Sequence, residues 1–300
     1  MKVTVATTNL DDMIYASEFF VGNPPQRMTG VFDTGSTNLW VLGNHTKLSG
    51  DPEKKASYDQ AASSTAKKTN QSAEIFFGSG SLKGNFVYDD FRLGGCDKES
   101  GGLLHIKKQK FGVADEATTI FDGTNFEAIV GLAYPELAED GVTPVFDRLI
   151  QQKSLQSNVF AFFMSYEKEE DKKPHYKPEL TLGYYDLAKI KGTIDWHPVL
   201  LKYMFGVKLD DIKVNGKPLN VCSRLMKPDA CMLTIDSGST TGMVPIAAIP
   251  AFTENLVPIA NTMAECNGVQ DIGSITWVIN GHDYTLNADE WLMEQEIDFA

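Results

Sequence analysis

A short pattern occurs twice in this chain, and it constrains the fold more than any other feature. Val31-Phe32-Asp33-Thr34-Gly35-Ser36-Thr37 returns as Leu233-Thr234-Ile235-Asp236-Ser237-Gly238-Ser239-Thr240. In each copy an apolar strand runs into Asp, then Ser or Thr, then Gly and Ser. With roughly average residue usage, one D-[ST]-G-[ST] match arises by chance in on the order of one chain in fifty, and two matches far more rarely. The repeat predicts two related lobes, an N-terminal one over 1–186 with the Asp33 motif and a C-terminal one over 187–300 with the Asp236 motif. That division agrees with a length prior of roughly 150 residues per domain.

The residue types follow from the chemistry of a buried carboxylate. An aspartate at the end of a buried strand is expensive to ionise unless hydrogen-bond donors surround it. Gly35 and Gly238 let backbone amides approach closely, Ser or Thr hydroxyls add donors, a role that Ser36 and Ser239 fit, and Thr34 and Ser237 complete the support of the pair. If a pseudo-twofold axis relates the lobes, Asp33 and Asp236 meet, and two carboxylates in contact cannot both be charged. They share one proton, so one acts as a base on a water while the other polarises a carbonyl. This division of labour hydrolyses an amide without a covalent intermediate. Paired aspartates sharing a proton are a standard example of a coupled titration.

The remaining sequence reads as mostly β. Apolar runs such as Glu74 to Tyr88, Asn158 to Tyr166 and Tyr203 to Val214 are separated by Gly, Pro, Asn and Asp, as strands and turns require. One helix is predicted to open at Thr143-Pro144, with Thr143 as N-cap and Val145, Phe146, Leu149 and Ile150 as its apolar stripe. The charged run from Glu167 to Glu179 reads as a solvated hairpin loop. With 27 lysines and arginines against 40 aspartates and glutamates, the net charge of -13 argues against nucleic acid or an anionic membrane as the main partner. No apolar stretch approaches the roughly 20 residues of a membrane-spanning helix. The five histidines form no H-E-x-x-H, no G-x-S-x-G elbow occurs, and neither a metal nor a cofactor is expected. Four cysteines permit three full pairings. Cys222 and Cys231 read as a local staple, and Cys96 has no obvious partner. The sequons at Asn44 and Asn70 matter only in a secretory compartment.

Together the two Asp motifs, Tyr15 to Gln26 (YASEFFVGNPPQ), Asn38-Leu39-Trp40-Val41, Phe126 to Pro135 (FEAIVGLAYP) and Gly192 to Val199 (GTIDWHPV) resemble the pepsin-like aspartic endopeptidases, the family of pepsin, cathepsin D and the plasmepsins. The resemblance runs from about Tyr15 to the end of the chain. It implies an all-β bilobal pepsin-like fold, a cleft for an extended polypeptide, and a β-hairpin flap from Glu74 to Leu82 with Phe77, Gly78 and Ser79 at its tip. It also implies Asp33 and Asp236 as catalytic residues and inhibition by pepstatin-type compounds. Val31, Phe77, Ile120 and Phe121, beside Trp40, become candidates for a pocket that prefers bulky apolar side chains. An acidic pH optimum follows from the shared proton, and with it a secreted location or an acidic vacuole or lysosome-type compartment. A monomer is expected. The family's zymogen form implies that this chain, with few residues before Tyr15, is a mature form with an added Met1.

Two departures from the family pattern stand out. Phe77 occupies the place of the usual flap tyrosine, whose hydroxyl bonds towards the residue matching Trp40. The strand Ile129-Val130-Gly131, which supports the first catalytic loop, has no equivalent after Asp236. Internal symmetry places that equivalent beyond Ala300, so the C-terminal lobe is expected to be incomplete, with the partner of Cys266 beyond the end as well. These departures support a second reading, a catalytically silent pepsin-fold protein that binds peptides or partners.

Overall fold

The computed structural model describes residues 1–10, 13–49, 55–94, 103–165, 177–224, 231–262 and 273–291. Cys96, Cys266 and most of the charged run after Glu167 lie outside them. The chain divides into two compact units, one comprising Met1–Ile194 together with Asp236–Thr240, the other Asp195–Ile235 and Thr241–Ala300.

The first unit is a ten-stranded sheet. Its strands are β1 (Val3–Leu10), β2 (Ile14–Val21), β3 (Gln26–Asp33), β4 (Leu39–Leu48), β5 (Lys67–Phe77), β6 (Gly80–Leu93), β7 (Leu104–Ala117), β8 (Ala128–Gly131), β9 (Phe160–Phe163) and β10 (Glu179–Leu182). Their order is β5-β6-β7-β4-β8-β3-β2-β1-β10-β9, with β6 also paired to β2. Most neighbours are antiparallel, but β3 runs parallel to β8 and β4 parallel to β7. A run such as Val31-Phe32-Asp33 at the end of β3 is buried on both faces, as expected of an interior strand flanked on both sides. The strands around Glu167 pair as predicted, with Glu179 opposite Phe163.

Two apolar clusters fill this unit. One gathers Phe19, Phe32, Tyr58, Phe91 and Phe111 with Val145, Phe146 and Leu149. The other is built around Trp40, Phe86, Ile120, Phe121 and Phe126. The helix α1 (Val145–Gln151) presents the predicted stripe to the first cluster. It begins one residue later than expected: Pro144 is its N-cap, and no side chain caps it. The Pro144 carbonyl accepts the Arg148 amide at 2.9 Å, so the proline supplies an acceptor without needing its missing N–H.

The second unit is a smaller sheet of β11 (Leu201–Lys202), β12 (Phe205–Val214), β13 (Lys217–Pro218), β14 (Met232–Thr234), β15 (Ile275–Ile279) and β16 (His282–Leu286), with α2 (Ile249–Thr262) and α3 (Ala288–Trp291). Strand β12 is its hub, pairing with β11, β13, β14 and β15. Cys222 and Cys231 form a disulfide inside the cluster of Leu209, Ile212, Leu219 and Ala251. Of the three pairings the sequence left open, those joining either cysteine to Cys96 or Cys266 are thereby excluded. No helix among the described residues is long and apolar enough to cross a membrane.

Candidate active site

Asp33 is the last residue of β3, and β8 lies between it and the next strand, β4. The β8 strand runs parallel to β3, in register from Gly30 opposite Ala128 to Asp33 opposite Gly131. It then buttresses the turn that follows. The Leu132 amide donates to the Asp33 carbonyl at 2.7 Å, the Ala133 amide to that of Ser36 at 2.9 Å, and the Gly131 amide to that of Asn38 at 3.1 Å. Gly131 must be glycine, since a Cβ there would overlap the backbone of Thr37. The strand predicted from Ile129-Val130-Gly131 thus lies behind the first loop, as expected.

The Asp33 carboxylate is wired within its own loop. The Gly35 amide donates to Oδ1 at 2.8 Å, and the Ser36 hydroxyl donates to Oδ2. The Asp236 loop repeats the pattern, with the Gly238 amide to Oδ1 at 2.8 Å and the Ser239 hydroxyl to Oδ2 at 2.8 Å. Spacings of two residues for the glycine amide and three for the serine hydroxyl place both donors over their own carboxylate. A different set of bonds joins the loops to each other. The Thr34 amide donates to the Ser237 hydroxyl oxygen at 3.0 Å, and the Ser237 amide to the Thr34 hydroxyl oxygen at 2.8 Å. The Ser237 hydroxyl then donates to the Phe32 carbonyl at 2.6 Å. The second residue of each motif therefore locks the two copies together, while the fourth serves its own aspartate.

The glycines let the carboxylates face one another. A Cβ on Gly35 would overlap the Asp236 carboxylate, and one on Gly238 would overlap that of Asp33. Asp33 is 8% exposed, and burial first, then the Asp236 charge and a hydrogen bond to it, push its pKa up to about 6 against the pull of Ser36 and the Gly35 amide. A carboxyl held protonated beside a second carboxylate can donate a hydrogen bond while its neighbour accepts a proton. The arrangement can therefore run acid and base chemistry on one substrate atom pair.

The flap region is a hairpin as predicted. Phe77 at the end of β5 is opposite Gly80 at the start of β6, leaving Gly78 and Ser79 as the turn. Gly78 does not take a positive φ. Burial alternates along the final turn of β5: Ile75 and Phe77 pack on the Trp40 cluster while Phe76 is 76% exposed. Two residues that the sequence did not single out hold the tip. The Thr119 hydroxyl donates to the Ser79 carbonyl, and the Ser81 amide donates to the Thr118 hydroxyl oxygen at 2.6 Å. A Thr-Thr pair before Ile120 carries no sequence signal of its own, because its partners are some forty residues away.

Val31, Trp40, Ile120 and Phe121 are all buried in the cluster against which Phe77 packs. Trp40 Nε1 is buried and has no hydrogen-bond partner among the described residues. Phe77 explains this in part, since a phenyl ring offers no acceptor. Asn44 and Asn70 are both exposed. Among the described residues, no group of three or more His, Cys, Asp or Glu could hold a metal ion.

The sequence model of the eukaryotic aspartyl protease family matches residues 14–298. Cathepsin D of Bos taurus is 32% identical over 294 residues, covering 95% of this chain and 73% of its own. Cathepsin D of Homo sapiens is 32% identical over 296 residues, covering 95% and 69%. Cathepsin E of Aquarana catesbeiana is 30% identical over 291 residues, covering 95% and 68%.

Proposed function

Because the chain belongs to the eukaryotic aspartyl protease family, we propose that it is an endopeptidase in which Asp33 and Asp236 hydrolyse internal peptide bonds through a water held between them. The observation that carries this reading is the reciprocal bonding of Thr34 and Ser237, which sets the two carboxylates face to face. Burial favours the shared proton on Asp33. Asp236 takes a proton from the water as it attacks the carbonyl carbon, and Asp33 gives its proton to the carbonyl oxygen. The resulting gem-diol collapses when Asp236 gives its newly gained proton to the nitrogen and Asp33 takes one from a gem-diol hydroxyl; the C–N bond breaks to leave acid and amine, and the dyad's single proton is back on Asp33. The substrates are polypeptides, with bulky apolar residues at the scissile bond received against Phe77 beneath Gly78 and Ser79 of the flap, while Val31, Ile120 and Phe121 form the packed cluster behind it.

A proton requirement of this kind suits an acidic compartment, secreted or of lysosome type, and the exposed sequons are compatible with passage through a secretory route. The test is cleavage of an internally quenched peptide with apolar residues at its centre, near pH 4.5, with and without pepstatin. Pepstatin-sensitive cleavage is the expected outcome. The alternative of a silent peptide-binding protein is favoured by one observation, the orphaned Trp40 Nε1 in the cluster on which Phe77 packs. Pepstatin binding without cleavage would decide for it.

A further inference from the structure

We propose that Lys110 is a positioning residue that fixes the root of the flap hairpin to the loop carrying Asp33. The functional consequence rests on the endopeptidase reading above; the clamp itself rests on geometry alone. Lys110 lies on β7 and is 9% exposed. An ammonium taken out of water is tolerated only where it is paired and hydrogen-bonded. Its Nζ donates to Gln71 Oε1 at 2.6 Å and to the Asp140 carbonyl at 3.4 Å, stands 3.6 Å from the Asp140 carboxylate, and lies 5.0 Å from the centre of the Phe86 ring. One cation thereby joins β5, the turn at residue 140 and β6.

Gln71 is where β5 most needs an anchor. The β5–β6 ladder is in register at Lys67 and Lys68, shifts, and resumes at Ser72, from which it continues to the flap tip. The intervening residues are an irregularity at the base of the hairpin, the place where a hairpin bends and twists most easily. Two side-chain bonds cross it: the Thr69 hydroxyl to the Phe86 carbonyl at 2.6 Å, and Lys110 to Gln71. Only the second also reaches the catalytic loop. Asp140 adopts a left-handed conformation with φ 58°, and its neighbour Glu139 is held on both backbone atoms by the Asn38 amide side chain, at 2.9 Å and 3.4 Å. Asn38 follows Ser36 by two residues, and the Ser36 hydroxyl sits on the Asp33 carboxylate. A continuous set of bonded groups therefore runs from the dyad to the flap root, with Lys110 as its branch point. Without the ammonium, Gln71 loses its buried partner and Thr69 is left to hold the irregular root of the hairpin, while the tip keeps its bonds to Thr118 and Thr119.

The experiment compares wild type, Lys110→Met and Gln71→Leu by hydrogen exchange of the flap amides, residues 73–82, in the free protein, alongside KM, kcat and the pepstatin Kd. Both variants are expected to speed flap exchange by roughly tenfold while exchange in β12 and β15 stays unchanged. KM and the pepstatin Kd should rise about fivefold, with kcat within about twofold, because a loosened flap root weakens holding before it weakens chemistry. The double variant should be no worse than the more affected single one, as for two partners of one interaction. Gln71→Leu, at an exposed position, keeps the test alive if Lys110→Met does not fold. Unchanged flap exchange in Gln71→Leu, or acceleration spread evenly over both units, would overturn the clamp even in an active enzyme. A wild type that neither cleaves peptide nor binds pepstatin would instead remove the endopeptidase reading, and the exchange data would still decide on Lys110.

Discussion

Asp33 ends a strand flanked by β2 and β8 and is 8% exposed, whereas Asp236 follows β14, is only half-buried, and has beside it Ile235 at 51% exposure. Among the described residues β14 pairs with β12. Yet each carboxylate receives the same two local donors, a glycine amide and a serine hydroxyl, at matching positions. Identical wiring in unlike surroundings separates what a motif supplies from what a fold supplies. The motif supplies donors that tolerate a negative charge. The surroundings decide which carboxyl resists that charge, and desolvation raises Asp33 first.

The largest expected effect tests whether both halves are needed. Asp33→Asn and Asp236→Asn should each lower kcat by at least about 10³-fold, because an amide can neither take nor give the required proton. Thermal unfolding should show both variants folded. If one variant kept most of its rate, the two loops would not form a functional pair, and the resemblance between them would be structural only.

Glycine substitutions come next and should be unequal. Gly35→Ala pushes a methyl group at Asp236, whose loop is exposed and can move, whereas Gly238→Ala pushes one at Asp33, which sits inside the sheet. Overpacking costs about 1–3 kcal/mol where the surroundings cannot yield. Gly238→Ala should therefore lose more stability than Gly35→Ala, and both should lose on the order of 10²-fold in kcat through misplaced carboxylates. Equal melting temperatures in the two variants would show that the environments differ less than burial indicates.

The difference also sets a pH dependence. With the Asp33 pKa pushed up to about 6, the pair keeps its shared proton below that pH, and kcat should fall roughly tenfold per pH unit above it. Stability follows the same group. The native state binds more protons than the unfolded chain between about pH 4 and 6, so stability falls as pH rises through that window and is level above it. Asp33→Asn should remove this slope. Denaturant titrations at several pH values measure it, and a slope that survives the substitution would assign the proton elsewhere.

How much of this could be read in the sequence depended on distance along the chain. The donors to each aspartate lie within three residues, so glycine and serine announced their roles. The flap hairpin and the apolar stripe of α1 were equally local, although Pro144 rather than Thr143 caps the helix. The bonds between Thr34 and Ser237 span 203 residues; the repeat hinted that the loops meet but not which atoms do so. Lys110 gave no hint at all. In the run His105 to Phe111 it reads as one more basic strand residue, and only the turn at Asp140 and the irregularity at Gln71 turn it inward.

The smallest effect bears most directly on the comparison. Ser36 and Ser239 occupy the same motif position, but Ser36, half-buried in the loop after β3, holds the Asp33 pKa down while Ser239 is exposed. Removing a hydrogen bond to a charged group matters most where water cannot replace it. Ser36→Ala should raise the Asp33 pKa further and move the alkaline limb of the kcat profile upward. It should also lower kcat by roughly fivefold, since the dyad then gives up its proton less readily. Ser239→Ala should change kcat by no more than about twofold and leave that limb in place, because solvent supplies a donor to Asp236. A pH profile of the two variants, run side by side, separates the contributions. Equal displacements would mean that the serines see the same environment, and that the inequality of the two aspartates arises from their charges on each other rather than from burial.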